Sequence, residues 1–312
     1  MDVPRWDSVL LVTLAAAAAT AALAQDTVPA TGIATTSGIG SPAAIPDFSG
    51  IWAHFTWPDF EPPTAGPGPV TNKSRRDGAS DAYQLVGDYL NPILKPQAAE
   101  VVKQHGENSI RGVTYPTPSN QCWPGGVPFV LVNIGMQMLQ EKDKITILYS
   151  NNHEVRHVRM NQAHPARVTP SWYGDSVGRY EGDTLVIDTV GIKVGPFAMV
   201  DMYGTPHSPA LHVVERYRLL DYEAAKAAEE RGQRGLSRLG RDPGLASNPD
   251  YKGKGLQLEF TVEDQEVFTE LWSGAISYRR PLGEWPEMAC ADNPHDYVGR
   301  AINLPQASKP DF

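Results

Sequence analysis

The chain has 312 residues, a formal net charge of −9 and only two cysteines. An acidic chain without a stripe of Lys and Arg side chains is not expected to bind nucleic acid or an anionic membrane surface. The length is sufficient for one large hydrophobic core or two small ones.

The first 24 residues have the layout of a secretory signal peptide. Arg5 precedes an alanine-rich apolar run over residues 9–23, and the small residues Ala22 and Ala24 form a cleavage site. The run is short for a membrane anchor, because about 20 apolar residues are needed to span a bilayer. We therefore expect cleavage after Ala24, a periplasmic or secreted mature protein, and no later membrane span.

The segment that follows predicts a linker and then a single domain. Residues 25–45 are rich in Thr, Ala, Gly, Ser and Pro and carry few large apolar side chains, which predicts a flexible linker. Ordered structure should begin near Pro46 and continue as one β-rich domain over residues 46–312. A proline suited to a first helical turn precedes apolar residues at helical spacing, which predicts a helix over residues 96–104.

From residue 128 onward, short apolar or alternating runs bounded by turn residues predict strands. Strands this close in sequence are expected to pair antiparallel, and nine of them suit a closed barrel, with a sandwich as the alternative. An Ala- and Glu-rich segment beginning at Tyr222 predicts a helical insertion over about residues 222–253. The predicted strands span residues 129–134, 136–140, 145–149, 155–160, 184–189, 211–219, 256–262, 267–272 and 275–279.

The two cysteines are Cys122 and Cys290, and both lie in the part of the chain that is predicted to be exported. Export places them in an oxidising compartment, so one disulfide between them is the simplest prediction. The alternative is two unpaired thiols buried as small apolar groups.

Residues 153–157 match the zinc-protease signature H-E-x-x-H through His153, Glu154 and His157. That chemistry requires a helix, which places both histidines on one face and uses the glutamate as general base. The segment instead alternates as a strand, on which the two histidines stand about 13 Å apart, beyond the span of one metal ion. We therefore predict no metal and no cofactor, and a zinc-dependent hydrolase is kept only as an alternative.

A second group of candidate residues surrounds a predicted strand near the middle of the domain. His212 and Glu215 lie on opposite faces of that strand, so both cannot point into one cavity. In one hypothesis His207 or His212 acts as general acid or base, and Arg156 or Glu215 orients a substrate. In the alternative, His212 is a half-buried strand residue and Glu215 pairs with a cross-strand arginine such as Arg156 or Arg279.

A third group lies in a loop rich in turn residues. Loops on a rigid barrel are the usual place for binding sites, so this group is predicted to line a ligand site at the barrel mouth. Its aspartate also permits a Ser–His–Asp interpretation with Ser176 or Ser208, although no G-x-S-x-G motif is present. The group consists of His164, Trp172, Tyr173 and Asp175.

Several motifs in combination resemble those of a widespread group of uncharacterised exported bacterial proteins. The resemblance covers residues 46–300, implies no reaction, and implies that the histidine pair of the H-E-x-x-H match does not recur in many members. The strand pattern of the group is similar to that of lipocalin-like barrels, which is an analogy of fold alone. The matching segments are PDFSGIW (46–52), CWPGGVP (122–128), His164-Pro165, WYGDSVG (172–178), YEGDTLV (180–186), His207-Ser208, LHVVERY (211–217) and the region around Cys290.

These observations predict a mainly β fold: an antiparallel, lipocalin-like β-barrel with one N-terminal helix and a helical insertion. The leading functional hypothesis is a pocket for a small, largely apolar or aromatic molecule, since an eight-stranded barrel is just wide enough for one such ligand. A cofactor-independent lyase, isomerase or hydratase is the first alternative. A structural periplasmic protein with a filled core is another.

Overall fold

The computed structural model describes most of the predicted domain. The predicted signal peptide and almost all of the predicted linker lie outside the described residues. Within the described part, no helix combines the length and the apolar character needed to cross a bilayer. The described residues are 45–54, 59–77, 80–81, 84–113, 115–132, 135–150, 154–234, 248–283 and 290.

The fold is a nine-stranded sheet that is nearly closed into a barrel, with the strands following one another in sequence order. The first strand meets the chain just after the last one, where Ala53 and Arg279 exchange two backbone hydrogen bonds of 2.8 Å. The predicted barrel is therefore confirmed, rather than the sandwich. The strands are β1 (Gly50–Ala53), β2 (Gly135–Gln140), β3 (Lys144–Tyr149), β4 (Val155–Met160), β5 (Asp175–Glu181), β6 (Thr184–Val190), β7 (His212–Leu220), β8 (Gly255–Glu263) and β9 (Trp272–Tyr278).

One pair of neighbours departs from the antiparallel pattern. Strands β4 and β5 pair in parallel, from Val158 opposite Ser176 to Met160 opposite Gly178. The prediction that all neighbours are antiparallel is wrong here. A parallel pair cannot be joined by a tight hairpin, so the chain passes through residues 161–174, the crossover loop, between the two strands.

Two α-helices lie within the described residues. Helix α1 (Pro96–Ile110) extends beyond the predicted range and starts at a proline, whose missing N–H costs nothing in the first turn. Helix α2 (Tyr222–Arg234) is the first part of the predicted insertion, and residues 235–247 lie outside the described residues. Ala225 of α2 packs so closely on β8 that a Cβ at Gly255 would stand 2.3 Å from its own Cβ. Helix α2 therefore packs against the outside of the barrel wall.

Two predicted strands are wrong. Residues 129–134 contain a 3-10 helix, Phe129–Val132, whose four side chains are all buried. A continuous apolar run is equally compatible with a buried helical turn, so periodicity alone could not decide between them. Of residues 267–272, only Trp272 belongs to a strand, because the preceding residues turn back to bond the carbonyl of Asp264.

Large side chains fill the interior of the barrel. Trp52 of β1 and Trp272 of β9 are each 1% exposed, and Phe260 of β8 is equally buried. Close packing of rings in this way gives a rigid frame for the loops at its ends.

Candidate functional site

The barrel interior contains an ion pair between Arg156 of β4 and Glu215 of β7. Arg156 is 1% exposed and Glu215 is 0% exposed. Arg156 Nη1 donates to Glu215 Oε1 at 3.1 Å, and Nη2 donates to Oε2 at 2.5 Å. The pairing of Glu215 with Arg156, one of the two alternatives from the sequence, is therefore observed.

The hydrogen-bonding capacity of this buried guanidinium is used up. An arginine side chain has five N–H donors, and two of them are bonded to Glu215. Tyr217 donates to Glu215 Oε1 at 2.7 Å, which completes the pair from the acceptor side. Burial acts to lower the pKa of Arg156, but the charge and hydrogen bonds of Glu215, together with Tyr149 and Tyr217, outweigh it and raise that pKa. The other three N–H groups donate to Ser176 Oγ at 3.0 Å, the Tyr149 hydroxyl at 3.3 Å and Thr189 Oγ1 at 2.7 Å.

This geometry is that of a structural network. Because the two charges and their hydrogen-bond partners satisfy one another, the free-energy cost of removing the pair from water is offset within the core. The substrate-orienting role predicted for Arg156 and Glu215 stays a prediction, and the pair has little bonding capacity to offer a substrate.

The outer face of the barrel carries a histidine–aspartate cluster, formed by His164, Asp175, Asp188 and His212. His164 Nδ1 lies 2.7 Å from Asp175 Oδ1, and His164 Nε2 lies 3.0 Å from Asp188 Oδ1. His212 Nε2 lies 3.0 Å from the same Asp188 oxygen. An ionised carboxylate only accepts hydrogen bonds, so the histidine ring nitrogen is the donor in each of these contacts in which a hydrogen bond is formed. The fold thus joins three predicted site residues around Asp188, which the sequence did not single out.

The histidine–aspartate cluster contributes stability that is lost both at low pH and at high pH. The His212 hydrogen bond lowers the pKa of Asp188, and the same bond raises the pKa of His212. The stabilisation from Asp188 is present above its unfolded value of about 3.9 and is lost as pH falls. The stabilisation from His212 is fully present below its unfolded value of about 6.5 and is lost as pH rises through the higher folded pKa.

We therefore expect Asp188→Asn to lower the free energy of unfolding more at about pH 5.5 than at about pH 9. The loss at the lower pH should be on the order of 0.5–1 kcal/mol, because solvent screens these partly exposed groups. Urea unfolding at both pH values measures it, with Asp183→Asn in the exposed turn after β5 as the matched control. An equal loss at both pH values would show that the ion pairing contributes nothing.

His207 belongs to a different part of the molecule. It is buried, its Nδ1 lies 3.1 Å from the carbonyl oxygen of Ser208, and burial lowers its pKa. The N–H and Oγ of Ser208 both donate to the carboxylate of Asp264, at 2.7 and 2.8 Å. Ser176 bonds inside the barrel, so neither serine supports the Ser–His–Asp interpretation with Asp175.

A cluster of half-buried rings lies where the crossover loop meets two other loops. This aromatic cluster consists of Trp123, Trp172 and Phe197, each with part of its surface exposed. The Trp123 and Trp172 ring centroids are 5.0 Å apart at 86°, and Trp123 and Phe197 are 5.8 Å apart at 81°. Lys193 Nζ stands 4.6 Å from the centroid of the Trp172 ring. Edge-to-face packing of this kind fixes the rings relative to one another, and each of the three side chains remains partly exposed.

Glu154 lies next to this aromatic cluster. Its Oε1 accepts a hydrogen bond of 3.2 Å from the N–H of Gly125, two residues after Trp123. Burial raises the pKa of Glu154 to about 7, although hydrogen bonds from the Gly125 amide and the Tyr173 hydroxyl oppose the change. Its second oxygen, Oε2, is buried and has no hydrogen-bond partner among the described residues. From the sequence, Glu154 was a candidate only as the general base of a zinc site.

The zinc interpretation requires a helix where the structure has strand β4. His157 lies exposed on that strand, with Nδ1 3.2 Å from Thr146 Oγ1, and His153 lies outside the described residues. In the part of the chain that the structure describes, no three His, Cys, Asp or Glu side chains are grouped to hold a metal ion.

The predicted disulfide between Cys122 and Cys290 is confirmed. The Cα atoms of the two cysteines are 5.4 Å apart, and 168 residues separate them in sequence. Cys122 directly precedes Trp123, so the disulfide ties the loop that carries part of the aromatic cluster to the C-terminal region.

Comparison of the chain with protein-family models, with curated proteins and with solved structures gave no match.

Proposed function

We propose that the protein binds a small, largely apolar or aromatic molecule at the aromatic cluster. The observation that carries this proposal is the set of three half-exposed rings, Trp123, Trp172 and Phe197, held in edge-to-face contact at a rigid barrel. Exposed indole and phenyl faces are unfavourable in water and form good contact surfaces for flat apolar ligands.

The proposed site includes Trp172, one of the residues that the sequence places in a ligand site at the barrel mouth. Trp52, Trp272 and the Arg156–Glu215 pair occupy the interior. The rings at the crossover loop are therefore the better-placed apolar surface. We also propose that the protein works outside the cytoplasm, since its disulfide is of the kind that persists in oxidising compartments.

Calorimetric titration with 2-naphthol tests the binding proposal. We expect measurable binding by the wild type, and a loss of affinity of about tenfold or more in Trp172→Ala, because aromatic contacts contribute about 1 kcal/mol beyond the area they bury. Tyr222→Ala is the matched control, since Tyr222 is also half-exposed with a lysine, Lys252, 4.9 Å from its ring centroid. The absence of binding, or equal losses in the two variants, would contradict the proposal.

A further inference from the structure

We propose that Glu154 recognises a hydrogen-bond donor, a hydroxyl or amino group, attached to the aromatic ring of the ligand. This inference rests on the proposed binding function and adds the chemical class of the ligand.

The Glu154 carboxyl group lies close in the fold to the loops that carry the aromatic cluster. The Gly125 amide, which donates to Glu154 Oε1, lies two residues after Trp123, and Tyr173, which lowers the pKa of Glu154 against the effect of burial, directly follows Trp172. The loop that contains Gly125 also lies against the crossover loop, since a Cβ at Gly126 would stand 3.1 Å from the Trp172 carbonyl oxygen. The Glu154 carboxyl group therefore lies beside the chain segments that carry Trp123 and Trp172.

Glu154 has one carboxyl oxygen that accepts no hydrogen bond from the described residues. Glu154 Oε1 already has the Gly125 amide as a donor, whereas Oε2 is buried with no partner among the described residues. A buried acceptor without a donor costs free energy, and such groups in native proteins usually meet water, an ion or a ligand. His105 also has unpartnered ring nitrogens among the described residues, but it is only 1% exposed and lies on helix α1, away from the cluster. Glu154 is an unsatisfied carboxyl group whose hydrogen-bond donor, Gly125, lies in the same loop as Trp123.

The side chains around Glu154 determine which charge a ligand can carry at this position. Among the described residues, the titratable side chains that interact with Glu154 are Tyr149 and Tyr173, and burial raises the pKa of both, so they are neutral at neutral pH. The cation of the aromatic cluster, Lys193, lies over the Trp172 ring and forms no ion pair with Glu154 in the described part of the chain. His153, its chain neighbour, lies outside the described residues. A ligand carboxylate would meet the Glu154 carboxyl with like charge, whereas a neutral O–H or N–H would donate to it. The site therefore favours phenols and arylamines over aromatic acids.

The test compares three probes that share one ring system, 2-naphthol, naphthalene and 2-naphthoate, in calorimetric titrations of the full mature protein. The titrations are made at about pH 8, above the pKa of Glu154, so that its carboxyl group is mostly ionised. We expect the wild type to bind 2-naphthol about tenfold more tightly than naphthalene, which is the effect of one net hydrogen bond to a charged acceptor, and 2-naphthoate most weakly. Glu154→Leu should bind naphthol and naphthalene equally. Glu154→Gln, which keeps a carbonyl acceptor, should retain part of the preference. Glu181→Gln, an exposed glutamate on β5, should keep all of it.

The other outcomes distinguish the role of Glu154 from the proposed binding function. Equal affinity of the wild type for 2-naphthol and naphthalene would overturn the role of Glu154 and leave the proposed binding function intact. The same holds if Glu154→Leu is folded, as thermal unfolding would show, and still prefers 2-naphthol. No binding of any of the three probes would overturn both proposals.

Discussion

Arg156→Met is expected to destabilise the protein by about 3–5 kcal/mol, because it leaves the Glu215 charge buried without its partner. The carboxylate would keep only the Tyr217 hydroxyl as a donor, and Ser176 and Thr189 would lose the group that organises them. Urea unfolding at neutral pH, followed by tryptophan fluorescence, measures the change.

A double variant and an exposed pair separate the buried charge from other causes. Arg156→Met combined with Glu215→Leu removes both charges and should recover part of the lost stability, because two apolar groups no longer need compensation. Glu181→Gln breaks the exposed Arg216–Glu181 pair one residue further along β7 and should leave the unfolding midpoint unchanged. If Arg156→Met is as stable as Glu181→Gln, the interior network does not stabilise the fold.

Removal of the disulfide is expected to have the second large effect. The bridge closes a loop across a sequence separation of 168 residues, so its loss frees much of the unfolded chain. Replacing Cys122 and Cys290 together by alanine should lower the free energy of unfolding by about 2–5 kcal/mol. Guanidinium unfolding under oxidising conditions measures the loss.

Reductant provides the control for this second prediction. The wild type with excess dithiothreitol should unfold at the midpoint of the double alanine variant, and the variant itself should not respond to dithiothreitol. An oxidised wild type that is no more stable than the variant would mean that the bridge does not constrain the unfolded chain.

The inward and outward alternation of the strands is the part of the fold that the sequence predicts best. On β7, Val213, Glu215 and Tyr217 are buried in the barrel, whereas Arg216 is exposed and His212 reaches Asp188 on the outer face. Period-two geometry alone separated His212 from Glu215, and the structure agrees. A similar argument placed the histidine His157 on a strand and not on a zinc-binding helix.

Strand β5 was missed because its sequence contains residues that are typical of turns. Gly178 sits in the middle of this strand, and a Cβ there would stand 2.6 Å from Met160 Sδ on β4. Glycine inside a strand marks a close approach, but the approaching residue belongs to another strand and is identified only by the fold.

Only part of the candidate site could be predicted, because its remaining residues come together through contacts between distant parts of the chain. His164, Asp175 and His212 were selected from the sequence, but Asp188 joins them only because β6 lies between β5 and β7. Glu154 depends on a contact with Gly125, which lies 29 residues earlier in the chain. Local patterns predict which residues face one way on a strand, but not which loops bury them.

The parallel pairing of β4 and β5 has a consequence for closure of the barrel. If every strand ran opposite to both of its neighbours, a ring would need an even number of strands, and this one has nine. A single parallel step restores the balance, so β1 and the chain after β9 meet in opposite directions at Ala53 and Arg279. Replacing the crossover loop by a hairpin would therefore require the gain or loss of a whole strand. It would also remove Trp172. The closure of a barrel with an odd number of strands and the proposed ligand surface therefore depend on the same fourteen residues, 161–174.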